Sequence, residues 1–156
     1  MITISLCMIV KNEEKVLARC LDSIADLMDE IIIVDTGSSD NTKEIAKKYT
    51  DKIYDFAWID DFSAARNYSF SKATKEYIYV ADADEVIDAD NHRKLAELKE
   101  VLIPEIEIVQ MRYCNQLTNG TAYNFDEEYR PKLYKRQREF TWIEPVHEMV
   151  RLDPVV

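Results

Sequence analysis

The chain has 156 residues, 47% of them hydrophobic, with only two glycines and four prolines. That is enough apolar material for one packed domain, and it excludes a low-complexity or disordered chain. Thirty acidic against 20 basic residues leave a formal net charge of −10, which excludes nucleic acid as a general partner because binding phosphate backbones takes a basic footprint.

Ile2 to Val10 is a nearly unbroken apolar run ending at the polar turn Lys11-Asn12-Glu13-Glu14, which predicts a strand buried on both faces, as in parallel sheets. Val16, Leu17, Cys20, Leu21, Ile24 and Leu27 then recur at helical spacing along one stripe. A second β-branched run, Ile31 to Val34, stops at Asp35. Gly37-Ser38-Ser39-Asp40 makes a turn, with Ser39 or Asp40 as cap of a helix beginning near Asn41. Ile53 to Phe56 reads as a third strand, Phe62 to Ala73 as a helix, and Tyr77 to Ala81 as a fourth strand ending at Asp82-Ala83-Asp84-Glu85. Asp88 to Leu102 is helical, with Leu95, Leu98, Val101 and Leu102 facing inward. This alternation predicts a mostly parallel α/β sheet flanked by helices.

Beyond Pro104 the pattern turns antiparallel. It comprises a strand from Ile106 to Tyr113, a hairpin with a type I′ turn at Asn119-Gly120, and short strands near Lys132 to Arg136 and Val146 to Leu152. One domain is expected over 1–156, with a smaller antiparallel C-terminal part from 104 to 156. No apolar run approaches the ~20 residues that cross a bilayer, and Met1 to Val10 lacks the length and basic leader of a signal peptide. A soluble cytoplasmic protein is expected, with no transmembrane segment and at most peripheral membrane contact. Cys7, Cys20 and Cys114 are scattered without a CxxC pair, so Cys7 and Cys20 are expected as reduced core residues.

In open α/β sheets, ligands bind beyond the carboxyl ends of the strands. Here those ends carry Lys11-Asn12-Glu13, Asp35-Thr36-Gly37-Ser38 and Asp82-Ala83-Asp84, so one edge gathers several carboxylates. Close like charges repel unless a cation sits among them. An Asp-x-Asp at a strand end can send one carboxylate to a hard divalent ion and the other to a ribose hydroxyl. Mg²⁺ and Mn²⁺ suit such oxygen-rich sites and share coordination with substrate phosphates. Singly each feature has a plain structural explanation: Asp35 as a helix cap, Gly37 as a turn residue, Arg66 as a surface helix charge. Their conjunction, in order and on the right strands, carries the signal. A chain with two glycines holds no GxGxxG or GxxxxGK[ST].

The segments Ile4-Ser5-Leu6-Cys7-Met8-Ile9-Val10-Lys11-Asn12-Glu13-Glu14 and Glu30-Ile31-Ile32-Ile33-Val34-Asp35-Thr36-Gly37-Ser38-Ser39-Asp40-Asn41-Thr42 resemble the family 2 glycosyltransferases. Ala65-Arg66-Asn67 and Ala81-Asp82-Ala83-Asp84-Glu85 extend the likeness in the family's order, and it is strong up to the helix ending near Leu102. The late pair His147-Glu148 brings it nearest to the lipopolysaccharide-core glucosyltransferase branch. The resemblance implies a GT-A (Rossmann-like) fold. It also implies inverting transfer of a sugar, a hexose by expectation, from a nucleotide-diphosphate-sugar donor, with a UDP-sugar favoured. The acceptor would be a saccharide, lipid-linked or peptide group, in cell-envelope or glycan synthesis.

By position, the resemblance puts Lys11, Glu13 and Arg66 at the nucleotide and diphosphate, and Asp35 at the base or ribose. It puts Asp82 at the ribose or metal, Asp84 as the main ligand of Mn²⁺ or Mg²⁺, and His147 near metal or phosphate. Thr36 stands where many members carry a second acid, which leaves the base open. Inversion also needs a carboxylate to take the acceptor's proton. Glu148 heads the candidates, ahead of Glu144, Asp126 and Glu127, so Glu148, Asp82 and Asp84 form the expected catalytic set.

The basic stretch Arg130 to Arg138 is expected as a solvated strand face balancing nearby acids, with steering of phosphate or an anionic acceptor toward the site as the alternative. Trp58, Tyr113, Tyr123, Tyr129 and Trp142 are candidates to stack on a sugar ring, with most of them expected in the core or at the rim. Members of the family usually continue with more acceptor-side structure, so 104–156 is expected to be only the start of that part. Two other readings compete. One is a nucleotide-sugar-binding module without transfer. The other is a haloacid-dehalogenase-like phosphatase, whose Asp-x-Asp motif Asp82 to Val86 matches, although on the fourth strand and not the first.

Overall fold

A computed structural model of the chain describes residues 1–103, 105–113, 128–136, 141–143 and 149–151. The N-terminal apolar run forms β1 (Ile4–Val10), in which every residue but Ile9 is buried. Such a strand must lie mid-sheet with cover on both faces, and it does: β1 pairs in parallel with β2 (Glu30–Asp35) on one side and β4 (Tyr77–Val80) on the other. β3 (Ile53–Asp55) adds in parallel outside β2. β6 (Glu128–Lys135) runs antiparallel beside β4, and β5 (Ile108–Tyr113) runs antiparallel beside β6. The strand order is β3-β2-β1-β4-β6-β5, and β7 (Thr141–Ile143) pairs separately with β8 (Met149–Arg151).

Alternation along the strands builds two cores. Ile4, Leu6, Met8, Val10, Ile33, Tyr77 and Tyr79 face a layer made by α1 (Leu17–Ile24), α2 (Thr42–Ala46) and α4 (Ala89–Val101), which contribute Leu17, Cys20, Leu21, Ile24, Ala46 and Leu95. Cys7, Ile32, Val34, Ile78 and Val80 face the other way, toward α3 (Phe62–Lys72), Tyr134 and Trp142. Each fully buried aliphatic side chain contributes about 1.5–3 kcal/mol relative to exposure. Cys7 and Cys20 are buried free thiols, as expected, and Cys114 lies outside the described residues.

The structure corrects several sequence expectations. The α1 helix ends at Ile24 and continues as one 3₁₀ turn (Ala25–Leu27). Val101 is 70% exposed; six residues beyond Leu95, at ~100° each, it has turned about 120° off the buried face. The strand at Trp142 was not foreseen, and β6 starts earlier than Lys132. The hairpin at Asn119-Gly120 falls outside the described residues.

Candidate functional site

Parallel pairing brings the carboxyl ends of β1 and β2 level: Val10 lies opposite Asp35, and Thr36 donates its backbone N–H to the Val10 carbonyl at 3.0 Å. β4 ends beside them, with Val80 opposite Cys7. The loops after these strands therefore share one edge, and the first two are zipped together. Asn12 N–H donates to Ser38 Oγ (2.9 Å), and Ser39 N–H donates to Asn12 Oδ1 (2.8 Å). Glu13 N–H donates to Thr42 Oγ1 (2.9 Å), and Asn41 N–H to a Glu14 carboxylate oxygen (3.0 Å). Asn12 reaches this geometry with a left-handed φ of 53°, which asparagine tolerates better than most residues. The N-cap residue of α2 is Asn41, without a side-chain cap bond, and Asp40 just before it accepts from the Thr42 backbone N–H at 3.0 Å and from its hydroxyl.

Asp35 is 1% exposed. Its Oδ1 accepts from the backbone N–H groups of Gly37 and Ser38, both at 2.8 Å, so it organises its own turn and does not cap α2. Gly37 sits at φ +115°, a conformation few L side chains adopt. Asp35 Oδ2 is buried and has no hydrogen-bond partner among the described residues. An unpartnered buried carboxylate oxygen is costly.

The Asp82-Ala83-Asp84-Glu85 segment turns just past β4, with Glu85 N–H donating to the Asp82 carbonyl at 3.0 Å. Arg66 is no surface helix charge. It is 8% exposed, its Nη2 meets Asp82 Oδ1 at 2.8 Å, and its guanidinium carbon lies 5.6 Å from the centre of the Trp142 ring. Burial alone would raise the Asp82 carboxyl, but Arg66 outweighs it and holds the group below the usual carboxylate range. Next in sequence, the Asn67 side chain donates to the Trp142 carbonyl (3.0 Å) and accepts from its N–H (2.7 Å), gripping β7 from α3.

Glu13 reports that the three loops converge. Burial, then the charges of Asp84, Asp82 and Asp40, push its carboxyl above the ordinary range. Lys11 is exposed and makes no hydrogen bond or ion pair among the described residues. Asp84 is exposed; its carbonyl accepts from Arg19 Nη2 at 3.3 Å, and its carboxylate has no partner among the described residues. Glu85 is held by Lys132 Nζ at 2.5 and 2.6 Å.

The donor set suits a hard divalent cation. Asp84 offers a carboxylate without a partner among the described residues, and Asp82, two residues away, has its Oδ1 engaged by Arg66. The described residues hold no group of three His, Cys, Asp or Glu side chains arranged for a metal. Ions such as Mg²⁺ take one or two protein carboxylates and complete their shell with substrate phosphates and water. His147, Glu148, Glu144, Asp126, Glu127 and Tyr123 lie outside the described residues. Trp142 is core, whereas Trp58 is half-buried against Phe62 with ring centres 4.7 Å apart. Sequence reasoning passed over Glu14, Asp40, Thr42 and Lys132. Asp40 had only the cap signal, Glu14 and Thr42 only their places in the segments that carry the resemblance, and Lys132 reaches Glu85 through a β6–β4 register that no local pattern encodes.

The family model for glycosyl transferase family 2 matches residues 5–150. The chain belongs to that family. It is 36% identical over 150 residues to a TPR repeat-containing protein of Synechococcus elongatus, covering 96% of this chain and 36% of that protein. To the SPbeta prophage-derived glycosyltransferase SunS of Bacillus subtilis it is 41% identical over 125 residues, 78% of this chain and 29% of the relative. The chain thus spans about a third of the length of the curated relatives it matches.

Among solved structures it resembles glucosyl-3-phosphoglycerate synthase of Mycobacterium tuberculosis in complex with Mn²⁺, UDP-glucose and phosphoglyceric acid. The TM-score is 0.61 and the identity 20%, over 87% of this chain and 57% of that one. It also resembles S. aureus TarS 1–349, with a TM-score of 0.58 and 18% identity over 90% and 50%. These likenesses give the GT-A fold, and family membership sets the phosphatase reading aside. No helix among the described residues is long and apolar enough to cross a membrane.

Proposed function

We infer that this glycosyltransferase domain binds a nucleotide-diphosphate sugar, a UDP-sugar by preference, at the carboxyl edge of β1, β2 and β4. Its reaction is then metal-dependent, inverting transfer of a hexosyl group to a saccharide, lipid-linked or peptide acceptor. The observation that carries this reading is Asp35 Oδ2, a buried carboxylate oxygen lacking a donor among the described residues, at the end of β2 beside the zipped loops. The ring N–H of a uracil is the kind of group that satisfies it.

Lys11, Glu13 and Arg66 belong to the nucleotide and diphosphate side of the pocket. Asp84, with Asp82 and His147, would hold Mn²⁺ or Mg²⁺, whose chemistry is Lewis-acid neutralisation of the departing diphosphate. Solved neighbours in complex with Mn²⁺ or Mg²⁺ and a uridine nucleotide support this assignment. Glu148 is assigned the acceptor's proton. The His147-Glu148 pair also keeps the lipopolysaccharide-core branch as the nearest type, in cytoplasmic glycan or polysaccharide synthesis.

Calorimetric titration of UDP, GDP and UDP-glucose with Mn²⁺, with Mg²⁺ and with EDTA tests this on wild type and Asp84→Ala. UDP binding is expected to strengthen with metal, and the gain to disappear in the variant with a loss on the order of 30-fold or more, about 2 kcal/mol. A folded wild type that binds no nucleotide under any metal condition overturns the reading. Binding without sugar transfer or donor hydrolysis, unaltered in Glu148→Gln, points instead to a binding module.

A further inference from the structure

The motif that ends β4 is followed by an acid whose partner comes from the antiparallel half of the sheet. Lys132 lies on β6 one residue beyond the Tyr79–Leu133 pair, which sets it level with Val80, two residues before Asp82. From there its Nζ reaches both carboxylate oxygens of Glu85, at 2.5 and 2.6 Å, and the two side chains are only 11% and 16% exposed. Resting on the donor-site reading above, we propose that Glu85 and Lys132 are positioning residues, which hold the Asp82–Asp84 segment in the form that accepts the divalent ion.

Stability alone accounts poorly for this pair. Withdrawing two charges from water costs about as much as their attraction returns, and apolar replacements of similar size are often no less stable. What the pair does supply is fixity at one place. Asp82 is held by Arg66 through its carboxylate and by Glu85 N–H and Cys20 Sγ through its carbonyl. Asp84 is held by Arg19 at its carbonyl. Glu85 is held by Lys132. Every residue with a polar side chain in the segment is tethered, and only the Asp84 carboxylate is left without a partner among the described residues. Lys132 also balances a third negative charge that would otherwise stand free beside Asp82 and Asp84. Without it, Glu85 can swing toward an incoming cation and draw it off the Asp84 position.

The test uses purified protein, Mn²⁺ and UDP. Free Mn²⁺ is counted by electron paramagnetic resonance, and UDP affinity is measured with Mn²⁺ and with EDTA. Lys132→Met and Glu85→Gln are expected to weaken Mn²⁺-supported UDP binding about tenfold, leaving the EDTA value within twofold. Lys132→Arg, which keeps the charge and can engage both oxygens, is expected to restore most of the loss. Should Lys132→Met not fold, Glu85→Gln, nearly isosteric, carries the decision.

The proposal is overturned if folded variants keep the full metal-supported gain, or if affinity falls equally with and without metal alongside a lower melting temperature. If wild type itself gains nothing from metal, the donor-site reading fails and this proposal falls with it. A normal wild-type gain with unaffected variants removes the positioning role alone.

Discussion

At the scale of single residues, the two oxygens of Asp35 divide the labour. Oδ1 fixes the turn through Gly37 and Ser38, and Oδ2 is buried without a partner among the described residues. Asp35→Asn keeps an acceptor for the turn and removes the charge on the other atom. The variant is therefore expected to melt at or above the wild-type temperature while UDP affinity falls roughly 10- to 100-fold, the value of one hydrogen bond to a charged group. Undiminished affinity in calorimetry would take Asp35 out of the pocket. The role of Asp35 was half legible in the sequence. Its place at a strand end was plain, but local pattern suggested a helix cap, whereas the first N–H of α2, on Thr42, goes to Asp40.

Among the elements, α3 does more than cover a face. Arg66 and Asn67 are consecutive, so on a helix they point about 100° apart. One holds Asp82 and the other holds β7. Asn67→Ala deletes both hydrogen bonds to the Trp142 backbone, at an expected cost of about 1–3 kcal/mol. Asn67→Asp, which still accepts from the Trp142 N–H, is expected to lose less. Urea unfolding followed by tryptophan emission reads both, and equal stability of Asn67→Ala and wild type would show that β7 is held by apolar packing alone. The motif Ala65-Arg66-Asn67 was visible in the sequence, but its two destinations, Asp82 and the later strand at Trp142, were not.

Across the whole molecule, Glu30 ties the amino-terminal ends of the sheet together, opposite the candidate site. It accepts from Ser5 Oγ (2.7 Å), from Thr74 N–H and Oγ1 (2.9 and 2.8 Å), and from Lys52. Burial alone would raise this carboxyl, yet hydrogen bonds from Lys52, Ser5 and Thr74 prevail and hold it at about 2. An unfolded glutamate titrates near ~4.3, so the folded value is depressed. The stabilisation is complete above the unfolded value and is lost as pH falls from there through the folded value. Glu30→Gln is expected to cost about 2 kcal/mol at neutral pH. In urea titrations the gap to wild type should hold from pH 7 to 5 and narrow at pH 3.5. A gap independent of pH would mean that shape, not charge, accounts for the cost.

The sequence by itself determined the alternation of strands and helices, the parallel core and the edge at which acids collect. Those follow from local periodicity, from β-branched runs buried on both faces, and from strands that stop at polar residues. Only the tertiary structure decided which partners those acids take. Arg66 with Asp82, Lys132 with Glu85, Asn12 with the loop after β2 and Asn67 with β7 are separated by 16 to 75 residues. Such pairs depend on strand order and register, which arise when the two faces of the sheet are buried together. A pattern read along the chain cannot encode them, because each partner looks locally like an ordinary surface charge or turn residue.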